Sequence, residues 1–169
     1  LHEAVPIVAE MMESLQRRGA SGPTAWFPNG VDAGFFEPSG VPYEPDLVTF
    51  IGRMDYYPNQ QAVTRFCAEL LPELQARRPG TRFEIVGADP SQEIRDLGRL
   101  PGVTVTGSVP DVRPYVTRAA LTIAPLEIAR GTQNKILESM AMGVPVVCSR
   151  QACGGVDAVP GEHLLTYVT

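Results

Sequence analysis

Residues 125–147 of the chain read PLEIARGTQNKILESMAMGVPVV, the most informative segment of the sequence. Four of its apolar side chains fall within about 140° of each other on a helical wheel, which predicts a helix over Gly131–Met142 with one buried side: Ile136, Leu137, Met140 and Ala141. The apolar, β-favouring runs on either side, Ala119–Ala124 and Val144–Cys148, predict buried strands. A strand, a helix and a second strand in this order predict a parallel β-α-β unit with a right-handed crossover.

The same alternation extends over the rest of the chain. Three further apolar runs predict strands: Leu47–Ile51, Arg82–Val86 and Val103–Thr106. Three stretches between the strands predict helices: Gln61–Arg78, in which Pro72 should kink or split the helix, Ser91–Leu97 and Asp111–Thr117. Ahead of them we expect a helix over Val5–Leu15, a short strand over Thr24–Pro28 and an irregular connector to Pro45. The predicted fold class is therefore α/β, with a Rossmann-like parallel sheet and helices on both faces.

The composition fits one globular domain and disfavours several kinds of partner. The 169 residues carry a formal charge of −5, the opposite of the charge expected for a nucleic-acid binder. The most apolar stretch, Ala119–Leu126, is far shorter than a membrane-spanning helix. Cys67 and Cys148 lie in apolar runs and form no Cys-x-x-Cys pair with Cys153, which favours core thiols in a reducing, cytoplasmic compartment. Because the first residue is Leu, we expect further sequence on the N-terminal side.

In a parallel sheet, ligands bind beyond the carboxyl ends of the strands. Gly52-Arg53 follows Leu47–Ile51, the first of the five apolar runs that predict the sheet, and a guanidinium there is well shaped for bidentate recognition of a phosphate. The alternative is a surface arginine. Gly107 ends another strand and allows a ligand to approach the backbone closely, whereas Asp111 is more typical of a helix N-cap than of a catalytic acid.

The expected helix start at Gly131 offers a second candidate site. Its first backbone N–H groups would face an anion, and they belong to three consecutive residues: Gly131, Thr132 and Gln133. Lys135 is a cation placed at the positive end of the helix dipole, where only a nearby anion makes it favourable. Glu138 lies on the same side as Asn134 and Lys135 and could accept hydrogen bonds from sugar hydroxyls. The alternative is an exposed Lys135–Glu138 pair on a solvated helix face.

Several common chemistries lack their sequence signatures. The chain contains no Gly-x-Gly-x-x-Gly fingerprint, no Walker A loop and no Gly-x-Ser-x-Gly elbow, which argues against dinucleotide redox, P-loop hydrolysis and serine hydrolysis. An Asp-x-Asp pair that would hold a metal on a diphosphate is also absent, and His2 and His163 are too few for a structural zinc site.

The order and spacing of five motifs over Phe27–Leu165 resemble the C-terminal half of the family 4 (group 1) retaining glycosyltransferases. The motifs are Phe27-Pro-Asn-Gly-Val-Asp32, Phe50-Ile-Gly-Arg-Met-Asp55, Val103 to Gly107 with Val109 and Asp111, Asn134-Lys-Ile-Leu-Glu138 through Met140-Ala141, and Gly143-Val-Pro-Val-Val147. Two more runs, Met54–Asn59 and Gly161–Leu165, resemble the subgroup linked to bacterial exopolysaccharide and cell-surface glycan assembly.

The resemblance implies one half of a GT-B enzyme, in which two Rossmann-like domains face each other across a cleft. Residues 23–169 would form the domain that binds the nucleotide-sugar donor, and residues 1–22 an N-terminal helix or linker remnant. The acceptor domain of the same parent chain and the final C-terminal helix would be absent, so the fragment should bind the donor but scarcely turn it over. No cofactor, metal or nucleic acid is implied, and any contact with the inner face of the membrane would be made through the absent half.

The family pattern also assigns roles to residues. Arg53 would contact the donor pyrophosphate, Glu138 would hold the ribose hydroxyls, and the backbone after Gly107 would meet the base. Lys135 would supply the second cation, since the family's usual Lys is absent from the stretch Asp55–Gln60. Arg53 and Lys135 are thus the expected catalytic groups, and the remaining donor-site residues would be Gly52, Gly131, Thr132, Gln133 and Asn134.

One departure from the family pattern leaves alternatives open. The first of the family's two glutamates is replaced by Arg130, and Glu127, three residues earlier, could substitute for it only if the loop were rebuilt. A degenerate glycosyltransferase therefore remains a possibility, as do a nucleotide-sugar epimerase and a phosphorylase of the same fold. A non-catalytic α/β interaction module such as a receiver domain is disfavoured, because acidic residues do not follow the first and third predicted strands as that function requires.

Overall fold

The computed structural model describes residues 6–23, 25, 29–129 and 131–167, with side chains from Met11 onward. Within this part of the chain, six parallel strands form one sheet in the order β3-β2-β1-β4-β5-β6, the order of Rossmann-type domains. The strands are β1 (Glu44–Ile51), β2 (Arg82–Val86), β3 (Val103–Gly107), β4 (Ala119–Ala124), β5 (Val146–Ser149) and β6 (Leu165–Tyr167). The α/β prediction is confirmed.

Helices connect the strands. They are α1 (Pro6–Arg17), α2 (Tyr57–Arg65), α3 (Leu71–Arg77), α4 (Gln92–Leu97), α5 (Arg113–Thr117), α6 (Asn134–Ala141) and α7 (Arg150–Cys153). A π-helical turn over Phe66–Leu70 joins α2 to α3, and Pro72 lies in the first turn of α3. The predicted split of this helix is confirmed, because a proline in the first turn needs no N–H partner. No helix within the described residues is long and apolar enough to span a bilayer.

Side chains of β1 alternate between two core clusters, which places packed layers on both faces of the sheet. Phe50 is fully buried and belongs to the larger cluster with Val63 of α2. Ile51, pointing to the opposite face, belongs to a second cluster with Val116 of α5 and Val144. Helical layers on both faces leave the carboxyl ends of the strands as an open edge. The strand order reverses at β1 and β4, so the chain leaves these two strands in opposite directions and a cleft opens between them.

The structure corrects some element boundaries. The sequence patterns did not predict the sixth strand, β6, because its three residues are too few to form a strand pattern. Strand β1 begins at Glu44 rather than Leu47, and β5 spans Val146–Ser149 rather than Val144–Cys148. Helix α2 begins at Tyr57 rather than Gln61, since Pro58 fits the first turn of a helix. The predicted strand over Thr24–Pro28 falls mostly outside the described residues.

Two predicted helix starts are also wrong. Helix α6 begins at Asn134, because Gly131 has a left-handed φ of 71° that a helix excludes. Helix α5 begins at Arg113, with Val112 in the N-cap position. Asp111, expected to be the N-cap, lies one residue earlier and accepts hydrogen bonds from the backbone and guanidinium of Arg113.

Candidate functional site

A cleft of about 550 Å³ opens at the carboxyl edge of the sheet, between the loop after β1 and the start of α6. Its lining includes residues from both sides: Gly52, Arg53, Asp55 and Asn59 on one, and Thr132, Asn134, Lys135 and Glu138 on the other. The two segments are more than seventy residues apart in sequence, and the reversal of strand order brings them together. A second concavity of about 580 Å³, on the sheet face beside α3, is lined mainly by apolar side chains and contains none of the predicted site residues.

Arg53 lies at the mouth of the cleft with a well-exposed side chain. Its guanidinium donates two hydrogen bonds to Asp55, at 3.0 Å from Nε and 2.6 Å from Nη2, and a third to Asp89 at 3.2 Å. The guanidinium lowers the pKa of the Asp55 carboxyl, mainly by hydrogen bonding. A phosphate binding to Arg53 must therefore compete with these carboxylates for its N–H donors.

Lys135 lies deeper in the cleft. Its Nζ donates to the side-chain oxygen of Asn59 at 2.9 Å and lies 4.1 Å from the centroid of the Phe50 ring. Burial lowers the pKa of Lys135 to about 7, and the Glu138 carboxylate opposes part of that shift. The aromatic face and the neutral amide favour the ammonium less than a carboxylate partner would. An anionic ligand in the cleft would raise the pKa of this lysine again.

Glu138 lies one turn after Lys135 on α6 and also lines the cleft. Burial raises the pKa of its carboxyl, while Lys135 lowers it. Its backbone is held in the helix, so the carboxylate has a defined position relative to the lysine. A half-buried carboxylate in such a place can accept hydrogen bonds from neutral hydroxyl groups.

Two glycines make the close packing of the cleft possible. A Cβ at residue 52 would lie 2.7 Å from the Asn59 side-chain nitrogen and 2.9 Å from Lys135 Nζ. A Cβ at residue 87, after β2, would lie 1.7 Å from the carbonyl oxygen of Gly52. Residue 87 therefore needs glycine, because a side chain would push against the backbone of the loop that carries Arg53. A side chain at residue 52 would instead displace the ends of the Asn59 and Lys135 side chains.

Not every predicted residue lies in the cleft. Thr132 and Asn134 line it, and the Asn134 side chain accepts a hydrogen bond from Asn29 at 2.9 Å. Gly131 and Gln133 precede α6 and do not line the cleft. The free backbone N–H groups of the first helical turn, which we expected at Gly131–Gln133, therefore belong to residues after Gln133. Gly107 ends β3, at the edge of the sheet and two strands from β1, and it too is outside the lining.

Asn59 is a residue of the cleft that the sequence patterns did not indicate. It lies in the first turn of α2, is 6% exposed, and donates to the Arg53 carbonyl at 2.8 Å while accepting from Lys135. The available signal was the lone lysine: Lys135 is the only lysine among the 14 Lys and Arg residues of the chain. A polar partner for it could have been sought among the residues that replace the family's usual lysine.

The structure does not support the hypothesis that Glu127 takes the place of the family glutamate that Arg130 replaces. The Glu127 carboxylate accepts a hydrogen bond from Gln61 at 2.9 Å and pairs with Arg65, so α2 holds it away from the cleft. Arg130 lies outside the described residues.

The chain matches a known protein family by sequence and solved structures by fold. Residues 45–167 match the model of a family described as glycosyl transferases group 1. No curated protein matches the chain by sequence. The fold is similar to that of TarM from S. aureus, with a TM-score of 0.74 and 16% identity over 94% of this chain and 32% of that one.

Two further solved structures have the same fold. HepE from Anabaena, crystallised with UDP and glucose, has a TM-score of 0.68 and 18% identity over 96% of this chain and 47% of that one. Sucrose-phosphate synthase from Thermosynechococcus elongatus has a TM-score of 0.67 and 22% identity over 93% of this chain and 43% of that one. The chain thus spans between about a third and a half of the length of these solved structures.

Proposed function

The chain belongs to the glycosyl transferases group 1 family, and we propose that its cleft binds the nucleoside diphosphate part of a sugar donor. The observation that carries the proposal is the meeting of Arg53 and Lys135 at the reversal point of the sheet. Two cations on opposite walls suit a ligand that carries two adjacent phosphates. HepE, which has the same fold, was crystallised with UDP-glucose and with UDP.

Each wall of the cleft has a separate task in this proposal. Arg53 exchanges its carboxylate partners for phosphate oxygens, and Lys135 takes up a proton as the anion approaches. As the glycosidic bond breaks, negative charge accumulates on the β-phosphate, and both cations stabilise it without a protein nucleophile. Glu138 accepts hydrogen bonds from the ribose hydroxyls, while Thr132 and Asn134 complete the wall on the α6 side.

The finer parts of the proposal follow from the family resemblance. Residues 23–169 form the donor half of a retaining GT-B enzyme that uses no metal or other cofactor, and residues 1–22 are an N-terminal helix or linker remnant. The partner is an acceptor domain of the same parent chain, which binds a cell-surface glycan or lipid-linked acceptor in the cytoplasm. The isolated half binds donor and turns it over slowly.

A calorimetric titration with UDP, GDP, ADP and dTDP, with and without magnesium, tests this function. We expect saturable binding of one nucleotide without magnesium, weakened at least tenfold in Arg53→Ala and in Glu138→Ala. The matched control is Arg82→Ala, which removes another exposed, ion-paired guanidinium from the other end of the sheet. It should bind as the unmodified chain does.

The outcomes separate the alternatives. Binding that is equally weak in Arg82→Ala would reflect net charge alone and contradict a site at Arg53. Absence of binding at millimolar nucleotide would remove the support for donor recognition by this half and favour a degenerate site.

A further inference from the structure

The buried amide of Asn59 joins the two walls of the cleft. Its side-chain nitrogen donates to the Arg53 carbonyl at 2.8 Å, and its oxygen accepts from Lys135 Nζ at 2.9 Å. One side chain thus contacts the loop after β1 and the ammonium carried by α6. Both hydrogen-bonding ends of the amide are used, which is what its 6% exposure requires.

The surroundings leave the lysine few other positions. The ammonium lies over the Phe50 ring, and Gly52 provides the space that it occupies. A long, flexible lysine side chain loses rotamer freedom when it is held in this way, so a specific hydrogen-bond acceptor is needed to keep it there. Asn59 is the side chain that supplies this acceptor.

We propose that Asn59 is a positioning residue, which holds the Lys135 ammonium in line with the Arg53 loop so that both cations reach the same diphosphate. This role rests on the proposed function of the cleft, and Asn59 acts through Lys135 rather than on the ligand. As an amide it positions the ammonium without neutralising it, whereas a carboxylate there would repel a phosphate. The choice of a neutral acceptor thus keeps the lysine charge available to an anion.

The charged groups facing Lys135 come from two elements. Glu138 lies on α6, and Arg53 and Asp55 lie in the loop after β1. The lowered pKa of Lys135 agrees with a position held by a neutral partner, since burial is its main cause. Exchange of that partner for a carboxylate should therefore move the pKa upward.

The lone lysine permits a direct test in the 169-residue chain. Lysine labelled with ¹³C at the ε position gives a single side-chain signal, which reports Lys135 without any ligand. Because the ammonium lies over Phe50, we expect upfield ε-proton shifts from the aromatic ring and a titration near pH 7. Asn59→Ala should abolish the ring-induced shift and move the titration toward the ordinary lysine value. Asn59→Asp should keep the ring-induced shift and raise the pKa by at least about one unit.

Gln60→Ala is the matched control. Gln60 is the next residue of α2 and also donates its side-chain amide to the loop, at 2.6 Å to the Met54 carbonyl, but it does not contact Lys135. If this variant shifts the lysine signal as Asn59→Ala does, the effect belongs to the loop and the proposal is wrong. An unchanged signal in Asn59→Ala would overturn it as well.

A second readout links the position of the lysine to the ligand. The nucleotide that the unmodified chain binds best should bind Asn59→Ala about tenfold more weakly, as expected for one misplaced charge-assisted hydrogen bond. Gln60→Ala should bind it normally, and equal losses in both variants would contradict the proposal. If no nucleotide binds, the proposed function fails, while the lysine signal still decides whether Asn59 holds Lys135.

Discussion

The two ends of the sheet differ in the kind of partner that holds a cationic side chain. At the amino end, Arg118 pairs with Glu84 through two hydrogen bonds of 2.6 and 2.7 Å, and Glu44 pairs with Arg82. At the carboxyl end, Lys135 donates to a neutral amide. At the amino end opposite charges compensate one another, while at the carboxyl end the lysine charge is left to be compensated by a ligand.

This difference separates structural from ligand-binding charge. The Arg118–Glu84 pair is satisfied within the chain, so removing a partner should affect stability. The cleft holds a lysine whose pKa burial lowers and an arginine whose carboxylate partners a ligand can displace. Changes there should affect binding far more than folding.

The largest expected effect is on stability, at the amino end. Arg118→Ala leaves the Glu84 carboxylate, whose side chain is 7% exposed, without its partner. We expect a loss of about 2 to 3 kcal/mol in the free energy of unfolding, below the full effect of a buried pair because Arg118 is partly exposed. Denaturant unfolding measures it. The double change Arg118→Met with Glu84→Gln should recover most of the loss, and failure to recover would mean that packing rather than charge dominates.

At the carboxyl end, Lys135→Met should give the opposite result. Methionine keeps much of the side-chain length and removes a charge that burial disfavours, which offsets the lost hydrogen bond to the buried Asn59 amide. The unfolding free energy should therefore change little. Nucleotide affinity should fall at least tenfold, as expected for a lost charge-assisted hydrogen bond of about 1.5 to 3 kcal/mol. Calorimetry and thermal unfolding on the same sample measure both quantities. A Lys135→Met variant that loses stability but binds nucleotide normally would contradict a ligand-binding role for the charge at the carboxyl end.

Stability and binding should also respond oppositely to pH. The pKa of Lys135 is about 7 when folded, below the ordinary value of 10.5. Between these values the unfolded chain binds more protons, so the contribution of this group to stability grows as the pH rises from about 7 to 10.5. Nucleotide binding should weaken over the lower part of that range, because the ammonium is lost. Denaturant unfolding and titrations at several pH values test this, and both slopes should be smaller in Lys135→Met.

The smallest expected effect is at the mouth of the cleft. Asp55→Asn removes a carboxylate that occupies the Arg53 guanidinium in an exposed ion pair, so the melting temperature should hardly change. Nucleotide affinity should rise by about two- to fivefold, because a phosphate then competes with one carboxylate instead of two. Titration at low and moderate salt measures the gain. A loss of affinity would show that Asp55 orients Arg53 rather than competing for it.

Much of the fold could be predicted because its signals are local. Strands β2 and β4 have the predicted bounds, since runs of apolar β-favouring residues end at glycine or proline. Strand β6 was missed, because three residues are too few to form a pattern. The start of α6 was placed too early, because the backbone conformation of Gly131 cannot be read from its side-chain type.

The alternation of strands and helices, the parallel sheet, and the site candidates Arg53, Lys135 and Glu138 can be inferred from the linear sequence, because hydrophobic period and residue type are properties of short segments. The contacts of Asn59 with Lys135 and of Glu127 with Arg65 are visible only in the folded chain. Those contacts join residues more than sixty positions apart. Which of them form depends on strand order and on the space left by Gly52 and Gly87, and a linear pattern records neither.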